Sequence, residues 1–219
     1  MRDFQDERIP FERKRIQRFF KRFFDVIFSL LGLIILSPLF LVVSLMIKLD
    51  SRGPVFYRQE RLGMNGRVFK IYKFRTMVKD AEKMGSGLFT HENDPRITRV
   101  GRFLRRTSID ELPQLINILR GDMSFVGPRP PITWYPKRWN EYEDWEKLRF
   151  RMKPGMTGWA QIHGRNEIDW NKRIEYDVWY VKNWSLLLDL KIILETVKVV
   201  LSGKGIYGKE RMKNGRKNI

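Results

Sequence analysis

Between Val26 and Ile47 the chain reads VIFSLLGLIILSPLFLVVSLMI, 22 residues without a charge. As a straight helix the run is roughly 33 Å long, close to the roughly 30 Å of a bilayer core. A cleavable signal peptide fits poorly, because the apolar run is too long. Lys48, Leu49 and Asp50 follow it in place of a small-residue cleavage site. Ser37-Pro38 interrupts the middle of the run. Pro38 has no N–H to give the carbonyl of Ile34, and its ring clashes there, so a kink or a break is expected. Both flanks are basic. Residues 1–25 hold eight Lys or Arg against five acids, and residues 48–79 hold nine against Asp50 and Glu60. Since positive flanks prefer the cytoplasmic side, a helix-break-helix that enters and returns on one face satisfies both ends. The freed carbonyl then needs a partner, which a hydroxyl such as that of Ser37 can supply. A kinked spanning helix is the alternative.

Charge sets the next constraint. The 219 residues contain 43 Lys and Arg against 25 Asp and Glu, a net charge of +18. This balance calls for an anionic partner: nucleic acid, anionic lipid or a phosphorylated substrate. There is no Cys, and His91 and His163 are the only histidines. Disulfide, thiol and His-rich metal chemistry are thereby excluded, and a hydrolase triad is disfavoured. No Walker or dinucleotide fingerprint is present, nor any recognised nucleic-acid motif.

Further membrane contact is legible downstream. In LLLDLKIILETVKVVL, Leu186 to Leu201, the charges Lys191, Glu195 and Lys198 lie opposite Leu190, Ile193, Val197 and Val200. That is an amphipathic helix, either interfacial or packed on the protein's own core. Trp134, Tyr135, Trp139, Tyr142, Trp145, Trp179, Tyr180 and Trp184 lie in two basic-aromatic segments. Such residues favour the headgroup layer.

In the polar remainder, Asn65-Gly66 separates two β-prone runs and predicts a hairpin. On its second strand Phe69, Ile71, Lys73 and Arg75 share a face by the period of two, which sets two cations side by side. Ser108-Ile109-Asp110-Glu111 fits a capping box opening a helix, with apolar positions at Leu112, Leu115, Ile116 and Leu119 and a stop at Gly121. Glu111 then reads as a cap and Asp110 as a dipole partner. The same geometry also serves chemistry. A carboxylate in a first turn near Arg and Lys is held ionised, able to bind a hard cation such as Mg²⁺ or to attack an electrophile. The loop GDMSFVGPRPP presents Arg129, whose planar fork suits phosphate. In KPGMTGWAQIHGRN, Gly155, Gly158 and Gly164 beside Lys153 and Arg165 could let backbone amides approach an anion.

Together these stretches resemble the bacterial sugar transferase family, the small monotopic phosphoglycosyl transferases acting on polyprenol phosphate. The resemblance runs from about Lys21 to about Leu201. It is carried by Ser37-Pro38, FKIYKFRTM, SIDELPQLINILRGDMSFVGPRP, KPGMTGWAQIHGRN and YDVWYVKNWSLLLDLKIIL, in that order. It implies transfer of a sugar 1-phosphate from a UDP-sugar to undecaprenyl phosphate with release of UMP. It also implies a place on the cytoplasmic face of the inner membrane, held by a re-entrant helix broken at Ser37-Pro38. By the same resemblance Asp110 is the nucleophile, Mg²⁺ sits at Asp110 and Glu111, and Lys73 and Arg129 serve the phosphates. Larger relatives add a multi-span N-terminal region, and this chain looks like the minimal form.

The expected fold is therefore α+β and mainly helical. It has a basic segment over 1–25, a re-entrant helix over 26–47, a cytoplasmic catalytic domain with interfacial helices over 48–201, and a basic tail over 202–219. Expected phosphate ligands are Lys73, Arg75, Arg129 and Arg165. Expected partners are the two substrates and inner-membrane lipid, not nucleic acid, with a homodimer left open. The alternative is a basic membrane-associated adaptor without catalysis. The segment from Met84 to Pro95 is a candidate sugar contact.

Overall fold

The apolar run falls on two helices in the computed structural model, which describes residues 9–84, 90, 91, 93–164 and 167–202. After a short turn α1 (Pro10–Arg13), helix α2 spans Arg15–Ile35 and α3 spans Ser37–Asp50, with a 60° bend between them. No single helix among the described residues is long and apolar enough to cross a membrane. Pro38 sits in the first turn of α3, where its missing N–H leaves nothing unsatisfied. Ser37 Oγ donates to the Ile34 carbonyl at 2.7 Å, the partner expected from the sequence. Helix α2 begins well before the uncharged run, so its first turns carry Arg18, Lys21 and Arg22.

One side of this bent pair docks on the protein. Val43 and Ile47 are buried with Phe74 and Leu104, while Leu33 and Leu36 pack on the cluster of Leu115 and Ile118. The other side is bare. Phe19, Phe23, Phe28, Ile34, Ile35, Leu41, Leu45 and Leu49 are all exposed. An exposed apolar surface this extensive marks an interaction face.

The predicted hairpin forms. Strands β1 (Phe56–Leu62) and β2 (Val68–Phe74) pair antiparallel, Phe56 opposite Phe74 and Leu62 opposite Val68. Asn65 and Gly66 take positive φ in the connection, as an Asn-Gly turn allows. Next come α4 (Arg99–Thr107) and α5 (Gln114–Arg120), then β3 (Ser124–Val126). The short helices α6 (Asp144–Lys147) and α7 (Trp159–Ile162) flank β4 (Gly155–Thr157), which pairs parallel with β3. Helices α8 (Trp170–Asn183) and α9 (Leu186–Ser202) close the described chain. The fold is thus mainly helical with a small antiparallel sheet, as expected, plus a short parallel pair.

Three local expectations need correction. Ser108 does not cap α5. It ends α4 in the left-handed conformation, φ 58° and ψ 15°, whereas an N-cap needs extended backbone. Ile109–Glu111 form a single 3₁₀ turn and α5 starts at Gln114, so Glu111 is released from capping. Gly155 and Gly158 are not an anion nest either. A Cβ at Gly155 would meet the Gly127 amide nitrogen at 2.1 Å, and one at Gly158 would meet the Gly127 carbonyl at 2.2 Å. Their smallness lets the β4 region lie against the loop that carries Arg129. Lastly, Tyr142, Tyr180 and Trp184 belong to the core. Trp134, Trp139 and Trp179 remain exposed.

On α9, Asp189 and Ile192 dock inward. Leu187, Leu190, Ile193, Leu194, Val197 and Leu201 stay exposed, so the apolar stripe is not spent on the protein's own core.

Candidate active site

Two elements bring the acidic pair and its cations together. The 3₁₀ turn after α4 projects Asp110 and Glu111, and β2 brings Lys73 to them. Lys73 Nζ lies 2.6 Å from Glu111 Oε1, and Arg129 NH2 lies 3.4 Å from the same oxygen. Asp110 makes no ion pair among the described residues. Burial pushes its carboxyl up to about 6, the negative Glu111 adds to the rise, and Lys73, Arg105 and Arg129 oppose it. The two acids therefore differ: Glu111 is clamped by cations, while Asp110 is poised close to its own titration.

Arg129 is held from behind. Its carbonyl accepts from Arg149 NH2 at 2.8 Å, and Arg149 pairs with Asp177 in the interior. Around it, Gly155 N donates to Pro128 O, Leu62 N to Pro131 O, and Arg61 NH1 to Pro130 O. With prolines on both sides, the loop has little freedom left. The rigid platform expected of GPRPP is thus built from the hairpin, β4 and α8.

Arg75, expected among the phosphate ligands, has its guanidinium engaged within the protein. β2 ends at Phe74, and the Arg75 guanidinium turns to the carboxyl end of α3. It donates to the carbonyls of Ser51 at 2.7 Å and Arg52 at 3.0 Å, and to Ser51 Oγ at 2.9 Å. A cation there satisfies helix-terminal carbonyls and complements the helix dipole. Arg75 thereby anchors the broken helix, its guanidinium committed to these oxygens at the margin of the groove. Arg165 lies outside the described residues, as does most of the glycine-bearing stretch that precedes Phe89.

Several residues of the site carry little signal in the sequence. Arg61 lines the groove beside Arg129, and burial lowers its guanidinium to about 10, still charged at neutral pH. Arg173 is lowered to about 10 in the same way. Arg105 reaches Thr76 Oγ1 at 2.9 Å. Asn117 is fully buried, accepting from the Tyr72 amide at 2.9 Å and donating to the Lys70 carbonyl at 2.8 Å. It bonds the edge of β2 as a neighbouring strand would, which fixes Lys73 against the acidic turn. The alternation of Tyr57, Gln59 and Arg61 along β1 was the one available clue to Arg61.

The groove is large, roughly 1270 Å³, and has two ends. Its polar end holds Asp110, Glu111, Lys73, Arg61, Arg129 and Arg173. Its apolar end lies between α2 and α9 and is walled by Phe28, Gly32, Leu36, Leu115, Leu190, Ile193 and Val197. Among the described residues no group of three His, Cys, Asp or Glu comes together. Two adjacent carboxylates are nonetheless a fitting donor set for Mg²⁺, which commonly takes one or two carboxylates and fills its shell with substrate phosphates and water.

Comparison with known proteins gives the family. The family described as bacterial sugar transferase matches residues 16–203. The chain is 44% identical over 208 residues to the undecaprenyl-phosphate galactose phosphotransferase of Salmonella typhimurium, covering 89% of this chain and 43% of that protein. It is 43% identical over 198 residues to the UDP-glucose:undecaprenyl-phosphate glucose-1-phosphate transferase of Escherichia coli, covering 88% and 42%. The exopolysaccharide production protein ExoY of Sinorhizobium fredii is 42% identical over 201 residues, covering 85% and 88%. The chain thus spans less than half of the first two relatives and most of the third.

Proposed function

This chain belongs to the bacterial sugar transferase family, and on that premise we propose that it moves a sugar 1-phosphate from a UDP-sugar to undecaprenyl phosphate, releasing UMP. The observation that carries the mechanism is the asymmetry of the acidic pair. Glu111 is engaged by Lys73 and Arg129, and Asp110 is left as the nucleophile. An Asp110 oxygen attacks the sugar-linked phosphorus of the donor. The bond from that phosphorus to the UMP oxygen breaks, and UMP leaves with the electron pair. An oxygen of undecaprenyl phosphate then attacks the same phosphorus, and the Asp110 carboxylate departs. Arg129, Arg61 and Lys73 orient the phosphates and offset their charge, which is most of what phosphoryl transfer asks of a protein. Asp110 and Glu111 would hold Mg²⁺, which would supply further charge neutralisation.

The two-ended groove supports the substrate pair. A water-soluble anionic donor suits the arginine-rich end. A polyprenyl tail suits the apolar end between α2 and α9, beside the exposed phenylalanines of α2. The bare faces of the bent helix pair and of α9 support a monotopic seat on the cytoplasmic face of the inner membrane. Single Cys residues placed at residues 10–14 and 51–54 should then label only from the cytoplasmic side. Labelling of either end from outside would establish a span and remove the re-entrant reading. Pro38→Ala restores a backbone donor and should shift a fraction of molecules toward spanning.

The deciding assay is UMP release from a panel of UDP-sugars in the presence of undecaprenyl phosphate. Turnover is expected with at least one donor and is expected to stop in excess EDTA, returning when Mg²⁺ is restored. Full activity in EDTA would reject the metal requirement. Absence of UMP with every donor would favour the non-catalytic adaptor.

A further inference from the structure

Away from the reacting groups, the groove carries a third carboxylate that is handled differently from the other two. Glu82 stands on the 3₁₀ turn Ala81–Lys83 and makes no ion pair among the described residues. Neutral groups hold it instead. The Tyr57 hydroxyl donates to Glu82 Oε1, and Gln59 Nε2 approaches the same oxygen at 3.5 Å. The Gln59 carbonyl oxygen in turn accepts from Arg61 NH2 at 2.5 Å. Tyr57, Gln59 and Arg61 alternate along β1, so they share one face of the hairpin. Tyr57 pairs with Lys73 directly across it. The row thus lies beside the cations of the reaction centre, Lys73 standing across from Tyr57 and Arg61 bonded to Gln59.

A carboxylate repels phosphate, so Glu82 itself does not contact the diphosphate, which falls to Arg61 and the other cations nearby. Glu82 Oε2 is not engaged among the described residues, and the Gln59 amide has a donor hydrogen to spare. A carboxylate oxygen and an amide on one strand face form a receptor for neighbouring hydroxyl groups, with the hydroxyls donating to Glu82 and accepting from Gln59. On the nucleotide-sugar reading of the groove, we propose that Glu82 and Gln59, braced by Tyr57, form the subsite for a vicinal diol of the donor and set which donor is accepted. Hexose and ribose both carry such a diol, and the test separates them.

The full chain in detergent or nanodiscs is compared with Glu82→Gln and Gln59→Ala. Neither side chain belongs to a core cluster, so both variants should melt with the wild type. KM and kcat for UMP release are measured with the preferred UDP-hexose and with its deoxy analogues. Dissociation constants for UDP and for UDP-hexose are measured by calorimetry. Each variant should raise KM by about tenfold, the usual effect of losing a hydrogen bond to a charged group, with kcat little changed. The preference for the parent sugar over its deoxy analogue should collapse, which a bracing role alone would not produce. Normal affinity for UDP with weakened UDP-hexose assigns the diol to the hexose. Equal weakening of both, with lost discrimination against 2′-deoxyribose donors, assigns it to the ribose. Unchanged affinities and unchanged discrimination in both variants would overturn the subsite while leaving the transferase reading intact. A wild-type chain that neither binds nor cleaves any UDP-sugar would overturn both.

Discussion

Replacing Asp110 by Asn should lower UMP release by about 10⁴-fold or more, the scale seen when a covalent nucleophile is removed. Asn keeps the shape but has no anionic oxygen to attack phosphorus. Without acceptor, radiolabelled UDP-sugar should load the wild type with up to one sugar phosphate per chain. Undecaprenyl phosphate should discharge it, giving ping-pong kinetics. Asp110→Asn should not load at all. Glu111→Gln should be milder, about 10²-fold, because it removes an orienting group and not the bond-forming atom. The pH profile gives an independent check. Attack requires ionised Asp110, whose carboxyl is raised to about 6 in the metal-free chain, so kcat/KM should fall about tenfold per pH unit on an acidic limb at or below that point, which bound Mg²⁺ moves to lower pH. Lys73 pulls this value down and Glu111 pushes it up. Lys73→Met should therefore move the acidic limb to higher pH, and Glu111→Gln should move it to lower pH. A fully active Asp110→Asn protein, or UMP release that requires both substrates at once, would falsify the covalent assignment and favour direct transfer.

Local signals in the sequence carried far where the physics is local. The break at Ser37-Pro38, the Ser37 hydroxyl on the Ile34 carbonyl, the hairpin at Asn65-Gly66 and the stop at Gly121 all depend on residues within about one turn of each other. The engagement of Arg75 with the carboxyl end of α3 was not legible, because Ser51 and Arg52 lie more than twenty residues earlier in the chain and offer it backbone carbonyls. The Ser108 capping box failed because the pattern ignores the preceding helix, which uses Ser108 as its own terminus. Aromatic residues were ambiguous for a related reason: Trp184 and Trp179 read alike in sequence, yet one is core and the other surface. Asn117 was invisible because its partners, the backbone groups of Lys70 and Tyr72, carry no sequence signal. The acidic pair was legible by position, but the difference between its members was not. It arises from the burial of Asp110 and from Lys73 and Arg129, which form their ion pairs with Glu111.

Asp189→Ala should destabilise the folded protein by about 3–5 kcal/mol, the cost of breaking a buried pair by removing one partner. Asp189 is buried on α9 and accepts three hydrogen bonds. Lys21 Nζ reaches Oδ2 at 2.6 Å, the Tyr180 hydroxyl reaches Oδ1 at 2.7 Å, and Trp184 Nε1 reaches Oδ2 at 3.2 Å. The partners are themselves buried, and burial, reinforced by the negative Asp189, holds the Tyr180 hydroxyl well above its ordinary value. Without Asp189, the Lys21 ammonium keeps the Val126 carbonyl at 2.9 Å and the field of nearby Asp25, and a hydroxyl and an indole N–H lose their acceptor. For a chain of this length the loss corresponds to a fall of roughly 6–20 °C in Tm, measurable by thermal unfolding in detergent. Asp189→Asn retains an acceptor and should cost less. Replacing the pair together, Lys21→Met with Asp189→Leu, removes the orphaned charge and should recover part of the loss. The consequence reaches function through geometry. Lys21 ties α2 to β3, and Asp189 ties α9 to α2 and α8, so this cluster sets the spacing of the two helices that wall the apolar end of the groove. Asp189→Ala should therefore impair turnover with the lipid acceptor more than loading of Asp110 from the donor. An Asp189→Ala protein melting within about 1 °C of the wild type would show that the cluster does not hold these helices.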